Sequence, residues 1–230
     1  MAHTNILIVV AKRPTPGQTK TRLAPPLTPE QATGLYECFL EDTLDLMKQV
    51  PGVQPAIAFF PEHERSYFEK LAPGFDLHLQ KGADLGERLD NALQHYLKSG
   101  NCHVVIMDSD SPTLPATCLK QAFSALDDGA EMVLGPCDDG GYYLIGLKRP
   151  APRLLREVQM STPHVARDTL ALAAEEGLKT SLLPAWYDID EIATLRRLVA
   201  ELDKMPAEVA SSTRAFLAIP EIQNRIHSAP

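Results

Sequence analysis

The sequence predicts an α/β fold in which helices cover both faces of a mostly parallel, mixed sheet, giving three α/β/α layers. Short apolar segments rich in β-branched residues alternate with segments of helical periodicity, which is the pattern of successive βαβ units. The segment "DDGGYYLIGL" (138–147) breaks this alternation, because a turn leads directly into another strand. We therefore expect one antiparallel strand. A chain of 230 residues suits a single domain spanning 1–230.

The first strand and the first helix have the clearest signals. Residues 5–11, "NILIVVA", are continuously apolar, as in a strand buried on both faces. The helix that follows opens with Thr28 as N-cap, Pro29 at its first position and Gln31 completing a capping box. The other strands are predicted at 55–60, 76–80, 102–107, 131–135, 138–147 and 181–184, and the other helices at 62–71, 85–98, 115–126, 163–176, 191–203 and 207–217.

Composition and charge limit the classes of function. The formal net charge of -8 argues against nucleic acid as a partner, because polyanion binding needs a broad basic surface. No apolar run reaches membrane-spanning length, and the amino end has no basic start, so we expect a cytoplasmic protein without a membrane span. The four cysteines are far apart and are expected to be reduced, buried thiols: Cys38, Cys102, Cys118 and Cys137.

The loop between the first strand and the first helix is basic. Residues 11–26, "AKRPTPGQTKTRLAPP", contain no carboxylate and four cations, which are Lys12, Arg13, Lys20 and Arg22. Most isolated charge runs are solvated surface, but a run without acids in an acidic chain favours phosphate binding. No Walker-type glycine loop is present, so side chains rather than backbone amides are expected to hold the phosphates.

Two carboxylates follow the strand predicted at 102–107. Asp108 and Asp110 lie in "DSDSP", at the edge of the sheet where the basic loop is expected. Carboxylates at i and i+2 in a turn can both bind Mg²⁺ or Mn²⁺. Capping or turn formation is the commoner role of an isolated pair, but the basic loop beside it favours a metal ion acting with cations on a diphosphate.

The segment "GPCDDGGYYLIG" forms a third candidate site. Asp138 and Asp139 are candidate catalytic carboxylates, Gly140 and Gly141 permit close approach of a ligand, and Tyr142 could border a sugar or an acceptor. The alternative is a hairpin turn whose tyrosines pack on the sheet.

Further polar residues stand at predicted loop ends. Asp84 and Gly86 precede a helix whose amino end could face a nucleotide, and Asp188 and Asp190 in "DIDE" could complete a metal site. Helix capping is the commoner role for Asp84 and Asp190. His164 could be a metal ligand or a base, although a lone histidine is more often neither.

These segments occur in an order that resembles one family. "AKRPTPGQTKTRLAPPLTPEQ", "KGADLGERL", "DSDSPTLP", "LGPCDDGGYYLIGL", "STPHVARDTL" and "DIDE" are similar to the DUF2064 group of bacterial GT-A-like glycosyltransferases, some tied to arsenosugar biosynthesis, in the nucleotide-diphospho-sugar transferase superfamily. The family has Gly-Thr-Asp or Gly-Ser-Asp where this chain has Asp108-Ser109-Asp110, so the essential carboxylate stays open.

The resemblance implies a GT-A fold and a metal-dependent glycosyl transfer from a nucleotide-diphospho-sugar to a small-molecule acceptor. Lys12, Lys20 and Arg22 would contact the nucleotide, and Asp110 with Asp108 would bind the divalent metal, Mg²⁺ or Mn²⁺. Asp138 or Asp139 would face the sugar or the acceptor.

Two alternatives stay open. The "KTRL" segment also resembles the phospholactate guanylyltransferases, in which a substrate phosphate attacks the α-phosphorus of a nucleoside triphosphate. The second alternative is a nucleotide-binding protein without catalytic activity. Donor sugar, base, acceptor and oligomeric state are not specified by these motifs.

Overall fold

The computed structural model describes residues 4–100 and 103–228. Within them, seven strands form one sheet in the order β3-β2-β1-β4-β6-β5-β7. Only β6 runs antiparallel to its neighbours β4 and β5 among these strands, which confirms the mixed sheet. The strands are β1 (Asn5–Lys12), β2 (Val53–Phe60), β3 (Asp76–Leu79), β4 (Val104–Met107), β5 (Met132–Pro136), β6 (Tyr142–Leu147) and β7 (Thr180–Leu182).

The helices follow the predicted positions closely. Short 3-10 turns occupy Thr21–Leu23 and Glu62–Glu64, the second of them directly before α2. Two helices in the described part of the chain, α5 and α9, were not predicted. The helices are α1 (Pro29–Lys48), α2 (Arg65–Leu71), α3 (Leu85–Lys98), α4 (Ala116–Asp127), α5 (Arg153–Arg156), α6 (Val165–Glu175), α7 (Ile192–Leu202), α8 (Ser211–Leu217) and α9 (Pro220–Ser228).

Local signals explain where α1 and α8 begin. The Thr28 side chain accepts a hydrogen bond from the Gln31 backbone and the Gln31 side chain accepts one from Thr28, so the predicted capping box is present. The helix predicted to begin at 207 begins at Ser211 instead. Ala210, directly before it, has a left-handed backbone with φ of 53°, which is incompatible with helix continuing through it.

Two hydrophobic cores lie on opposite faces of the sheet, as the three-layer prediction requires. Helices α1, α2 and α4 cover one face and α3, α5 and α6 cover the other. A third apolar cluster lies beside the sheet and joins the start of α1 to α7, α8 and α9. It also includes Leu23 from the loop after β1, and Tyr187 and Ile189 from the segment after β7. This third cluster therefore contacts two of the loops that carry candidate site residues.

The sequence predicted buried thiols, and of the three cysteines that the structure describes only Cys118 is buried. Cys38, Cys118 and Cys137 are free thiols, with Cys118 buried and the other two half-buried. Cys102, the first residue of a predicted strand, lies outside the described residues. Among the helices that the structure describes, none is both long and apolar enough to cross a membrane.

Candidate active site

The candidate site lies at the edge of the sheet where the parallel strands end. Strands β1, β4, β5 and β7 all point toward this edge, and β6 starts from it. Between β1 and β4 the sheet order reverses direction, and ligands of open α/β sheets bind at such a switch point. The basic loop, the segment 108–111, the turn 137–141 and the segment 187–190 therefore meet at one place.

Hydrogen bonds hold the segment after β4 in position. The Ser109 hydroxyl donates to the Val10 carbonyl at 3.0 Å and is hydrogen-bonded to the buried Tyr36 hydroxyl at 2.8 Å. The Ser111 hydroxyl lies 3.1 Å from both the Asp108 carboxylate and the Tyr187 carbonyl. These bonds tie β4 to β1 on one side and to the segment after β7 on the other.

Lys20 lies at the centre of the carboxylates. Its ammonium is 2.9 Å from Asp110 Oδ1 and 2.6 Å from Asp190 Oδ1, and its side chain is only 6% exposed. Burial disfavours the charged ammonium, but Asp110 and Asp190 more than offset this and raise the pKa of Lys20 above its ordinary value. Lys20 therefore stays protonated and bridges two loops that are far apart in the sequence.

The carboxylates outnumber the buried cation. Burial, together with the neighbouring charge of Asp110, raises the pKa of Asp108 well above its usual range. The pKa of Asp188 is raised to about 6 by its burial and by the charges of Asp190 and Asp139. Burial is the larger cause of both shifts, and the neighbouring carboxylates add to it, because like charges disfavour ionisation. One ammonium does not neutralise this group, and a hard divalent cation suits such a set of oxygen donors.

Cys137, Asp139 and Asp188 also approach one another. Each offers one ligand atom, and these atoms all lie within 4.8 Å of one another. The Asp139 carboxylate accepts a hydrogen bond from the Gly141 backbone at 2.8 Å, which fixes the turn between β5 and β6. Gly140 has φ of +90°, and a Cβ at this position would lie 2.1 Å from the Pro163 carbonyl oxygen, so the turn requires glycine there.

Asp138 points to a different partner from Asp139. Its carboxylate lies 2.6 Å from the guanidinium of Arg197 on α7, which also stacks over the Tyr187 ring at 3.7 Å. Asp138 is thus engaged in an ion pair at the rim of the site, whereas Asp139 faces the other acids. Of the two predicted catalytic carboxylates, Asp138 therefore forms an ion pair, whereas Asp139 takes part in none of the ion pairs of the described residues.

The other cations of the basic loop spread away from Lys20. Arg13 pairs with Glu64 at 2.5 Å, and Arg22 lies 3.6 Å from Glu191 at the start of α7. Lys12, the last residue of β1, is exposed. The loop thus presents charge along the rim, from β2 to α7, rather than at a single point.

The remaining predicted site residues have structural roles. Asp84 caps α3 by accepting a hydrogen bond from the Glu87 backbone at 2.8 Å. Gly86 packs so closely that an added Cβ would lie 2.0 Å from the Leu155 carbonyl oxygen. The Tyr142 hydroxyl lies 3.8 Å from the Met160 sulfur, with the ring packed against the core under α3. Their contact with a ligand stays a prediction.

Three features of this site were not predicted from the sequence. The partnership of Lys20 with Asp190 joins residues 170 positions apart, and no local signal reports it. Arg197 lies in the helix predicted at 191–203, and no local signal places it beside Asp138 and Tyr187. Cys137 was assigned to the core by its apolar neighbours, although its place beside two aspartates in the turn was readable from "PCDDGG".

Comparison with known proteins agrees with this architecture. Residues 43–162 match the model of the family described as uncharacterised proteins conserved in bacteria, DUF2064. No protein of the curated set matches the sequence.

Solved structures share the fold. A candidate nucleotide-diphospho-sugar transferase from Desulfovibrio desulfuricans G20 is 27% identical, with a TM-score of 0.89 over 98% of each chain. CMP:2-keto-3-deoxy-manno-octonic acid synthetase, complexed with CTP, is 11% identical, with a TM-score of 0.58 over 87% of this chain and 99% of that one. Rv0371c from Mycobacterium tuberculosis H37Rv, complexed with manganese, is 18% identical, with a TM-score of 0.56 over 87% of this chain and 100% of that one.

Proposed function

The chain belongs to the DUF2064 family, and on that premise we propose that it is a metal-dependent glycosyltransferase that uses a nucleotide-diphospho-sugar and a small-molecule acceptor. The support is the nucleotide-diphospho-sugar transferase fold, shared with the Desulfovibrio protein over nearly the whole of both chains. The glycosyl acceptor and the sugar are not specified by the fold.

One observation carries the proposal: acids from two loops converge on a single buried ammonium at the switch point of the sheet, with further acids beside them. Asp110 and Asp190 flank Lys20, while burial and neighbouring carboxylates raise the pKa of Asp108 and of Asp188. This excess of oxygen donors fits Mg²⁺ or Mn²⁺. Bound there, such an ion supplies Lewis-acid stabilisation of a diphosphate.

The basic loop supplies the complementary charge. In glycosyl transfer, the acceptor oxygen bonds to the anomeric carbon while the bond from that carbon to the β-phosphate oxygen breaks, so charge grows on the departing diphosphate. Lys12 and Arg22 lie along the rim and Lys20 lies among the carboxylates, so all three can neutralise this charge. Each charge-assisted hydrogen bond is worth roughly 1.5 to 3 kcal/mol. Arg13 is the fourth cation, held at the β2 end by Glu64.

Asp139 is the better candidate for the base that takes the acceptor's proton. The Oδ2 atom of Asp138 is engaged by the guanidinium of Arg197 at 2.6 Å. The adjacent Asp139 keeps one oxygen beyond its hydrogen bond to Gly141. Gly140, Gly141 and Tyr142 form the surface next to this carboxylate, where sugar or acceptor would lie.

Nucleotidyl transfer is the second candidate, and the likeness to the CMP:2-keto-3-deoxy-manno-octonic acid synthetase fold favours it. There a nucleophilic oxygen of the substrate attacks the α-phosphorus of a nucleoside triphosphate and pyrophosphate leaves. Incubation with Mn²⁺ and panels of nucleotide-diphospho-sugars and nucleoside triphosphates separates the two reactions. Release of a nucleoside diphosphate on adding an acceptor supports glycosyl transfer, whereas release of pyrophosphate with a phosphorylated acceptor contradicts it. Turnover of neither panel with any acceptor supports the third alternative, a nucleotide-binding protein without activity.

A further inference from the structure

The backbone of Lys20 is held in an unusual conformation that aims its side chain inward. Its φ and ψ are 48° and 44°, in the left-handed region that a lysine seldom occupies. The side chain then passes under the loop, with the ammonium 6.0 Å from the centre of the Tyr36 ring. This arrangement is maintained by the structure around it rather than by local preference, and such conformations concentrate at functional sites.

The ammonium occupies the position between carboxylates from two different loops. Asp110 follows β4 and Asp190 follows β7, and the backbone amide of Ile189 donates to the Asp110 carbonyl at 3.0 Å, so the two loops run side by side. The oxygen atoms that face Lys20 belong to the same acidic group that suits a divalent cation. A cation that takes these oxygens must first displace the ammonium.

Moving the Lys20 ammonium away from Asp110 and Asp190 is unfavourable unless another anion takes their place. Lys20 is almost entirely enclosed, and removing one member of a buried ion pair leaves an uncompensated charge, which is strongly destabilising. A nucleotide changes this balance, because its phosphate oxygens offer the ammonium new acceptors close to the old ones. The cost of displacement is then met by a new charge-assisted contact.

We propose that Lys20 is the internal counter-ion of Asp110 and Asp190 and blocks their oxygens against a divalent cation that arrives alone. The cation binds there only together with a nucleotide, whose phosphates draw the ammonium away. This inference rests on the proposed function in taking a nucleotide and a divalent cation as ligands of the site. It makes Lys20 a positioning residue that couples the two ligands. By linkage, each ligand strengthens the binding of the other to the same degree.

The test is a titration with Mn²⁺, followed by the loss of the free-ion electron paramagnetic resonance signal, with and without UDP or GDP. The natural chain should bind Mn²⁺ weakly alone and at least about tenfold more tightly with a nucleoside diphosphate, beyond what the Mn²⁺–nucleotide complex in solution explains. Lys20→Met removes the charge and keeps the length of the side chain. It should bind Mn²⁺ alone about tenfold more tightly than the natural chain and lose the strengthening by nucleotide.

Lys20→Arg is the matched control, because it keeps the charge, and it should resemble the natural chain in Mn²⁺ binding without nucleotide. Mn²⁺ affinity that is unchanged or weaker in Lys20→Met overturns the inference but leaves the proposed function standing. No Mn²⁺ binding by either chain, with or without nucleotide, overturns both.

A second measurement uses the natural chain and does not depend on the folding of a variant. The side-chain ¹⁵Nζ resonance of Lys20 should be unaffected by Mg²⁺ alone and should shift when Mg²⁺ and UDP or GDP are added together. A shift with Mg²⁺ alone, equal to that with both ligands, contradicts the proposed coupling. No shift under any condition contradicts the displacement itself.

Discussion

The two adjacent aspartates of the turn between β5 and β6 provide a sharp test of the chemistry. Asp139→Asn keeps an oxygen that accepts the Gly141 hydrogen bond, so the turn is retained and the base is lost. A positioned general base contributes typically 10²–10⁴-fold. We therefore expect the rate of transfer to fall by about 10²-fold or more, which corresponds to roughly 2.7 kcal/mol of barrier.

Asp138→Asn is the matched control at the neighbouring position. Its carboxylate and Arg197 are 53% and 44% exposed in their side chains, and an exposed pair of this kind contributes at most about 1 kcal/mol. Transfer should therefore change less than about fivefold.

The assay measures release of nucleoside diphosphate at saturating donor and acceptor, beside calorimetric measurement of donor affinity in each variant. Donor affinity should be nearly unchanged in both. The role of Asp139 as the base is refuted if Asp138→Asn slows transfer as much as Asp139→Asn does. It is equally refuted if Asp139→Asn abolishes Mn²⁺-dependent donor binding, because Asp139 would then act as a metal ligand and not as a base.

Three further predictions concern the loop charges, the packing of α3 and the buried acids. Arg22→Ala should weaken nucleotide binding about tenfold by calorimetry. Arg149→Ala, which removes another ion-paired arginine at the opposite edge of the sheet, should leave binding unchanged, and equal losses would deny the loop a special role. Gly86→Ala should lower the free energy of unfolding by about 1 to 3 kcal/mol in urea, because its Cβ meets the Leu155 carbonyl, and an unaltered midpoint would contradict this packing. The folded chain holds the Asp188 proton more tightly than the unfolded chain, because the pKa of Asp188 is raised to about 6. This proton stabilises the fold fully at pH values below the ordinary pKa of 3.8, and the contribution is lost as the pH rises through about 6. Asp188→Asn should therefore exceed the natural chain in stability at pH 7.5 by about 1 kcal/mol, after allowance for partial exposure, and the gain should shrink by pH 4; a constant difference would refute it.

The fold was predictable because its signals are local. The capping box at Thr28 and Gln31 and the helix at 85–98 lie where the sequence placed them. The antiparallel β6 follows from a turn too short to hold a helix. Each of these signals is contained within a few neighbouring residues, and burial in the sheet reinforces it.

The arrangement of the site was only partly predictable. The sequence placed the basic loop and Asp110 at the same edge of the sheet, since both follow parallel strands. It did not reveal that Lys20 turns inward to Asp190, because this depends on a left-handed backbone and on a contact across 170 positions. Nor could it separate Asp138 from Asp139, because the difference arises from Arg197 on a helix that follows much later in the chain.

The third apolar cluster gives the carboxyl-terminal helices an influence on chemistry that they do not touch. Asp42 on α1 accepts hydrogen bonds from the backbone amides of Ser212 and Thr213, both at 2.9 Å, which locks α8 against α1. The third apolar cluster packs residues of α8 and α9 together with Leu23 and Ile189. A shortened or bulky carboxyl end would change the distance between the basic loop and the acids after β7. Turnover would then fall because of altered packing, although every reacting group remained present.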